Sequence, residues 1–245
     1  MTNNVNLIET KIQSPHYDHS KCERKRWALR SLLKSIGFTA LAKLDRVNGL
    51  ENVPIEGPAI LMINHIALID PIVVIHCLPR NIVPLAKIEV YDYPIIGIFP
   101  KIWEVIPVRR EEFDRRAIQM VMEVLKAGEM VLVAPEGTRG QSLGQGKEGI
   151  AYLASRSGVP VIPVAIDGTQ NFPAIRFSNA WRGPGIQVTF GRPFRFRASY
   201  CKADRDELRM MTDEAMYILA SYLPEHRRGL YSDQSKATQD TIENL

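Results

Sequence analysis

Hydrophobic positions along this chain follow two alternating periods. Ala59 to Ile63 is an unbroken apolar run after Gly57-Pro58, the pattern of a buried strand. Met130 to Ala134 repeats it, the largely apolar stretches 81–86, 103–108, 159–166 and 186–190 read as further strands, and 46–50 is a further strand candidate. Between these runs the spacing becomes helical. Phe113, Ala117, Val121, Val124 and Leu125 form one stripe of a helix over 112–127, with Arg115, Arg116 and Glu123 off it and Gly128 as its stop. Helices also read over 71–78, which Pro79 ends, over 150–157, and over 204–223 behind the capping-box pair Asp204 and Glu207. Residues 93–100 are apolar but hold two prolines and a glycine, which argues against a regular helix or a central strand. Such a loop can be packed or can line a hydrophobic groove. Strands alternating with helices predict the α/β class: a single domain with a mixed, mostly parallel sheet flanked by helices.

The N-terminal quarter departs from this rhythm. Residues 1–20 form a polar arm in which His16 and His19 read as solvated. From 21 to 45 the chain reads as a basic amphipathic helix, with Trp27, Leu29, Leu32, Leu33, Ile36, Ala40, Leu41 and Leu44 at helical spacing and a break expected near Gly37. Eight Lys and Arg between Lys21 and Arg46 face only Glu23 and Asp45, whereas the whole chain of 245 residues carries +4. The positive excess is therefore local. Two readings of the helix stand together: it packs on the domain, or it lies in an anionic membrane interface with its cations toward the headgroups. Trp27 beside Arg24-Lys25-Arg26 suits the interface. The main domain is expected over 46–231, followed by a polar tail over 232–245.

Composition removes several classes. No apolar run reaches the roughly 18 residues that a span needs, and the first residues lack a signal-peptide core, so a soluble or peripheral protein is expected. Cys22, Cys77 and Cys201 are widely spaced and form neither a disulfide framework nor a zinc site, which fits a reducing compartment. Gly140 to Lys147 looks like a phosphate-binding P-loop, but the spacing to Gly146-Lys147 is one residue too long and Glu148 stands where Ser or Thr is needed. The basic residues sit on one predicted helix without a nucleic-acid-binding module, so nucleic acid is not the expected partner.

The chemistry-bearing residues gather where apolar strands stop. His65 follows the 59–63 run, and Asp70-Pro71 opens the next helix. A neutral imidazole can take a proton from an attacking hydroxyl, and a carboxylate can fix its tautomer and stabilise the imidazolium. With no Ser or Cys nucleophile beside the pair, the substrate would bring its own hydroxyl. Asp70 before Pro71 also fits a helix N-cap. Five residues of straight helix would leave the two side chains about 140° apart, so they meet only if His65 precedes the helix and the chain turns between them. Arg109 and Arg110 close another strand, and Glu136 and Arg139 follow the 130–134 strand. Lys147 stands near a helix start. If these strands are neighbours, a base and several cations converge at one sheet edge, a site for a phosphate-bearing substrate with a reactive hydroxyl.

These residues resemble the motifs of the glycerolipid acyltransferases. Asn64 to Asp70 (N-H-I-A-L-I-D) resembles their N-H-x4-D motif, and Ile106 to Arg110 resembles a second motif that ends in Arg. Ala134 to Arg139 (A-P-E-G-T-R) is similar to the third, with Ala134 for Phe and Gly140 for Ser. Val159 to Val164 is similar to the fourth. Ala86 to Glu89 and Leu223 to Tyr231 also resemble the bacterial branch, and the nearest branch looks like the 1-acylglycerol-3-phosphate (lysophosphatidate) acyltransferases. The resemblance implies His65 as general base with Asp70, and a thioester of coenzyme A or acyl carrier protein as donor. It also implies acceptor binding by Glu136, Gly137, Thr138 and Arg139 with the second-motif arginine. Arg110 is favoured for that role over Arg109, and Lys87 and Lys147 are further phosphate contacts. It implies no metal or other cofactor, a lysophospholipid acceptor, an anionic membrane surface as partner, and a peripheral position on the cytoplasmic side of the membrane. A different lysolipid or glycerol 3-phosphate as acceptor, or a non-catalytic lipid-binding role, are the alternatives.

Overall fold

The computed structural model describes residues 22–94, 97–109 and 114–245. The expected polar arm and the Phe113 end of one helical stripe lie outside these residues. In chain order the elements begin with α1 (Glu23–Leu32), which runs into a π-turn at Leu33–Gly37, where the break is expected. Then come β1 (Leu44–Asn48), β2 (Ala59–Ile63), α2 (Asp70–Cys77), β3 (Ile82–Lys87), α3 (Ile98–Trp103) and β4 (Ile106–Val108). The remainder is α4 (Arg115–Lys126), β5 (Met130–Val133), α5 (Gly149–Ser157), β6 (Val161–Asp167), β7 (Ile186–Phe190), β8 (Phe194–Phe196), α6 (Arg205–Ser221) and β9 (Ile242–Asn244).

The strands form one sheet in the order β1-β7-β6-β2-β5-β3-β4, with β8 on β6 and β9 on β8. From β6 to β4 every neighbour is parallel, so β6, β2, β5, β3 and β4 all end at the same edge. β7 turns antiparallel to β6, which makes the sheet mixed. Strand β2 lies at its centre and is fully buried, because both faces are covered. Ile60 and Met62 face the core beneath α4, α5 and α6. Ala59, Leu61 and Ile63 face the opposite core, which holds Val73 and Val74 of α2 and Trp103 of α3. The two-residue period of the strand divides its side chains between the two layers.

Several elements differ from the sequence reading. Trp103 ends α3 rather than starting a strand, and its indole N–H donates to the Ile82 carbonyl at 2.8 Å. Pro100, which argued against a helix here, occupies the first turn of α3, where its missing N–H leaves no bond unmade. In α1 the basic residues do not all point outward. Arg26 is buried and donates from Nε to the Trp103 carbonyl at 2.7 Å, so this cation caps α3. Residues 232–245, expected as a polar tail, return to the sheet through β9. The buried Glu214 holds them: it accepts from Thr238 Oγ1 at 2.7 Å and from the backbone N–H groups of Asp240 and Thr241 at 2.8 and 3.0 Å. Asp204 and Glu207 do form the capping box of α6.

Candidate active site

The site begins where β2 leaves the sheet. Asn64 is buried and forms a two-bond ring with β6: its Nδ2 donates to the Ile166 carbonyl and its Oδ1 accepts from the Ile166 N–H, both at 2.8 Å. This side chain continues the ladder one step past the last paired strand residue, so the next residue starts from a fixed point. His65 follows, and the chain then turns before α2. One oxygen of Asp70, Oδ2, closes the turn. It accepts from the N–H of Ile66 at 2.6 Å and of Ala67 at 2.8 Å, and meets His65 Nδ1 at 2.9 Å. Asp70 is the first residue of α2 and does not cap it; the carboxylate reaches back to the preceding turn instead. An acceptor-only carboxylate places the hydrogen on Nδ1 and leaves Nε2 as the basic nitrogen. Asp70 is 0% exposed and the His65 side chain 15%, so the pair is shielded while the ring keeps a path outward.

The second part of the site follows β5. Gly137 N–H donates to the Ala134 carbonyl at 3.0 Å, closing a turn in which Gly137 takes φ +68°. The aliphatic end of Lys147 lies over this glycine. A β-carbon there would sit 3.3 Å from Lys147 Cε, so glycine admits both the left-handed turn and the lysine. Gly140 N–H donates to the His65 carbonyl at 2.8 Å and ties the loop after β5 to the His65 turn. Glu136, on that loop, is buried.

The other expected site residues are placed unequally. Arg109 follows β4 on the same sheet edge, with its backbone N–H donating to Asp114 at 2.9 Å. Arg110 lies outside the described residues. Thr138 and Arg139 are exposed on the turn beside Glu136. Lys87, at the end of β3, forms an ion pair with Glu89 at 3.0 Å and is therefore already engaged. A cavity of about 500 Å³ opens beside the Gly137 turn. Its walls come from Val133, Ile118, Val121, Ile150, Leu153 and Leu208, and Arg109 and Lys147 also line it. None of the described residues of 93–100 line this cavity; its apolar wall comes mainly from α4 and α5. Among the described residues no group of three His, Cys, Asp or Glu side chains is placed to hold a metal ion.

Residues 46–167 match the family model described as Acyltransferase, which spans both the His65 turn and the Glu136 turn. The chain belongs to the acyltransferase family. It is 32% identical over 148 residues to a chloroplastic 1-acyl-sn-glycerol-3-phosphate acyltransferase of Brassica napus, covering 58% of this chain and 42% of that protein. It is 33% identical over 130 residues to a 1-acyl-sn-glycerol-3-phosphate acyltransferase of Borreliella burgdorferi, covering 51% of this chain and 52% of the other. The chain thus spans about half the length of the curated relatives it matches. A crystal structure of the 1-acyl-sn-glycerophosphate acyltransferase of Thermotoga maritima shares the fold, with a TM-score of 0.58 at 24% identity over 86% of this chain and 85% of that one.

In this acyltransferase-family fold the C-terminal segment also reaches the site, which the motifs do not announce. Arg227 is buried and holds the loop after the Glu136 turn. Its Nη1 donates to the Gln141 carbonyl at 2.7 Å, its Nε to Asp167 at 2.8 Å and its Nη2 to Gln170 at 2.9 Å. Leu143 N–H donates to the Arg227 carbonyl at 2.9 Å. Farther along the loop, Arg209 of α6 donates to the Gly146 carbonyl at 2.6 Å, next to Lys147. Leu223 to Tyr231 resembles the family in sequence, but nothing in that stretch signals contacts to residues so much earlier in the chain.

Burial raises the Glu136 carboxyl from 4.5 to about 7; a hydrogen bond from the Gly144 backbone opposes the shift, and the charge of Asp70 adds to it. The folded protein therefore holds this proton over a range where the unfolded chain has released it. Ionisation subtracts stability as pH rises from 4.5 toward 7; the loss is complete above that window and absent below it. Glu136→Gln keeps the shape without the charge. Its melting temperature should exceed that of the wild type at pH 8 and converge with it near pH 4.5, as followed by thermal unfolding. An equal gap at both pH values would show that the charge is not what the site penalises.

Proposed function

We propose that this chain is an O-acyltransferase that moves a fatty acyl group from a thioester to the free hydroxyl of 1-acylglycerol 3-phosphate, making phosphatidate. The observation that carries the reading is the His65–Asp70 contact at 2.9 Å, with Asp70 locked by two backbone N–H groups and Nε2 left as the basic nitrogen. Nε2 takes the acceptor's hydroxyl proton as that oxygen attacks the thioester carbonyl. The new C–O bond forms, the C–S bond breaks, and the leaving thiolate recovers the proton from the imidazolium. Asp70 stabilises that imidazolium during transfer. No acyl-enzyme is required, because the substrate supplies the nucleophile.

Arg109, Arg139 and Lys147 are the cations for the acceptor's phosphate, and the second-motif Arg110 joins them in this reading. Glu136, near neutrality through burial, suits a glycerol hydroxyl better than a phosphate. The cavity beside Gly137 takes an acyl chain: its volume falls in the range of small-molecule sites, roughly 300–1,000 Å³, and aliphatic side chains of β5, α4 and α5 make much of its wall. Among the described residues no helix is long and apolar enough to cross a membrane. α1, basic and with Trp27 70% exposed, is the element we assign to the anionic, cytoplasmic membrane surface.

The test is acyl transfer from long-chain acyl-CoA and, separately, acyl carrier protein, to lysophosphatidate, glycerol 3-phosphate and lysophosphatidylcholine, with lipid product and thiol release both quantified. Phosphatidate formed with one thiol per ester is the expected result, and the two donor rates identify the thioester. Esterification of another acceptor alone would move the substrate and keep the chemistry. No ester with any pair would remove the reading.

A further inference from the structure

The loop between β6 and β7 carries two apolar side chains that the fold does not use. Phe177 is 86% exposed and Ile175 75% exposed, and Phe177 has the highest exposure of any large hydrophobic among the described residues. Phe177 also takes φ +74°, one of two non-glycine residues with positive φ among those described. That conformation crowds a β-carbon, and here it turns an aromatic ring toward solvent. The ring's packing partner is the guanidinium of its neighbour, with Arg176 Cζ 5.4 Å from the ring centre. An aromatic body beside a cation is the composition that suits a membrane interface.

The loop is braced from within. Phe172 is buried and meets Trp181 edge to face at 6.2 Å, and the Trp181 indole N–H donates to the Ala174 carbonyl at 2.8 Å. Ser178 N–H donates to the Ile175 carbonyl at 3.0 Å across the tip. Two further bonds fix its place: Ala174 N–H to the Leu41 carbonyl and Arg176 N–H to the Ala40 carbonyl, each at 2.8 Å. The loop therefore stands directly against the chain that follows α1, where Leu41 is itself exposed. Residues 172–182 contain Arg176 and Arg182 and no acidic residue, and both arginines are exposed.

We propose that the 172–182 loop is a second membrane-docking element, which inserts Ile175 and Phe177 into an anionic lipid interface beside the end of the N-terminal helical segment. The proposal deepens the membrane-surface reading given above and rests on it. Two apolar tips on a braced loop with Arg176 and Arg182 beside them match an anionic lipid boundary better than a shaped protein surface. Docking through both elements would fix the orientation of the domain on the bilayer, because one helix alone leaves the molecule free to roll about the helix axis.

The experiment compares full-length wild type, Ile175→Ser/Phe177→Ser and Arg176→Gln/Arg182→Gln for co-sedimentation with phosphatidylglycerol/phosphatidylcholine vesicles and with phosphatidylcholine vesicles. Thermal unfolding verifies that each variant is folded. The apolar double variant should partition about tenfold more weakly or worse at low and high salt, since each lost side chain forfeits burial in lipid. The arginine variant should lose affinity for anionic vesicles at low salt and match the wild type at high salt. A Phe177→Trp variant should show a blue shift in emission beyond that of the wild type on adding anionic vesicles. Lipids brominated near the headgroup should quench that added emission. Wild-type partitioning by the apolar double variant, or no added blue shift from Phe177→Trp, would overturn the proposal. Acyl transfer to a monomeric short-chain acceptor should be equal in wild type and the apolar variant. If neither transfers acyl groups while vesicle binding still depends on the loop, the enzymatic reading falls and the docking surface stands; the reverse pattern removes the docking surface alone.

Discussion

His65→Ala is expected to fold and to transfer acyl groups roughly 10²–10⁴-fold more slowly than the wild type, the span typical of losing a positioned general base. Alanine removes the imidazole N–H from Asp70 Oδ2, yet Ile66 and Ala67 still donate to that oxygen. The vacated space borders solvent, since the imidazole is 15% exposed, and water can take the place of Nδ1–H. The stability cost is therefore about 1 kcal/mol, that of one exchanged hydrogen bond. The kinetic loss should appear in kcat at saturating acceptor, because the imidazole acts on the proton in flight and not on the phosphate. Partial recovery with added imidazole would place the defect at the proton. A variant retaining most of its kcat would remove His65 from the reaction.

Arg227→Met should lower both stability and rate. The arginine is buried, and its guanidinium makes charge-assisted bonds to Asp167 and further bonds to the Gln141 carbonyl, Gln141 Oε1 and Gln170. Methionine preserves much of the volume and supplies no donor. Arg227 is buried but Asp167 keeps 29% of its side chain exposed and can rehydrate, so the cost is about 1.5–3 kcal/mol, that of hydrogen bonds to a charged group. In a chain of this size each kcal/mol moves the melting temperature by about 2–4 °C, so a fall on the order of 5 °C is expected. Activity should fall even at temperatures where the variant is fully folded. The loop that Arg227 holds carries Gly140, whose N–H fixes the His65 carbonyl at 2.8 Å, and it continues to Lys147. Arg227→Lys should recover part of the stability and less of the rate, because one ammonium cannot reproduce a planar fork across three residues. An unchanged melting temperature in Arg227→Met would show that the loop is anchored elsewhere.

Much of this site is readable from the order of residues, and the reason is physical. β2 and β5 are buried on both faces, so they appear as unbroken apolar runs. The residues just beyond such a run must lie at a sheet edge, which locates His65 and Glu136 from the order of residues alone. The five-residue spacing from His65 to Asp70 likewise requires a turn, and the turn is there. The parts that stay hidden rest on contacts without local pattern. β8 and β9 have three residues each, too few to display a period of two. Arg26 belongs to a cluster of charges on an amphipathic helix, yet it turns inward because the end of α3 offers a carbonyl. Arg227 serves residues far away in sequence, and its own neighbourhood of mixed charges looks like solvent-facing surface. Residues 93–100 read as non-helical only if Pro100 is given the weight of a helix breaker, which a first-turn proline does not have.

The ring between Asn64 and Ile166 has a consequence for hydrogen exchange. The Ile166 amide hydrogen is held by a side chain at the start of the His65 turn, through Asn64 Oδ1 at 2.8 Å, and not by a main-chain acceptor of β2. Its replacement by deuterium therefore requires the turn to detach from the sheet, whereas neighbouring amides in the same strand wait for strands to separate. These are openings of different free energy. A single amide in β6 thus serves as a built-in gauge of how often the His65 turn comes loose while the rest of the protein stays folded.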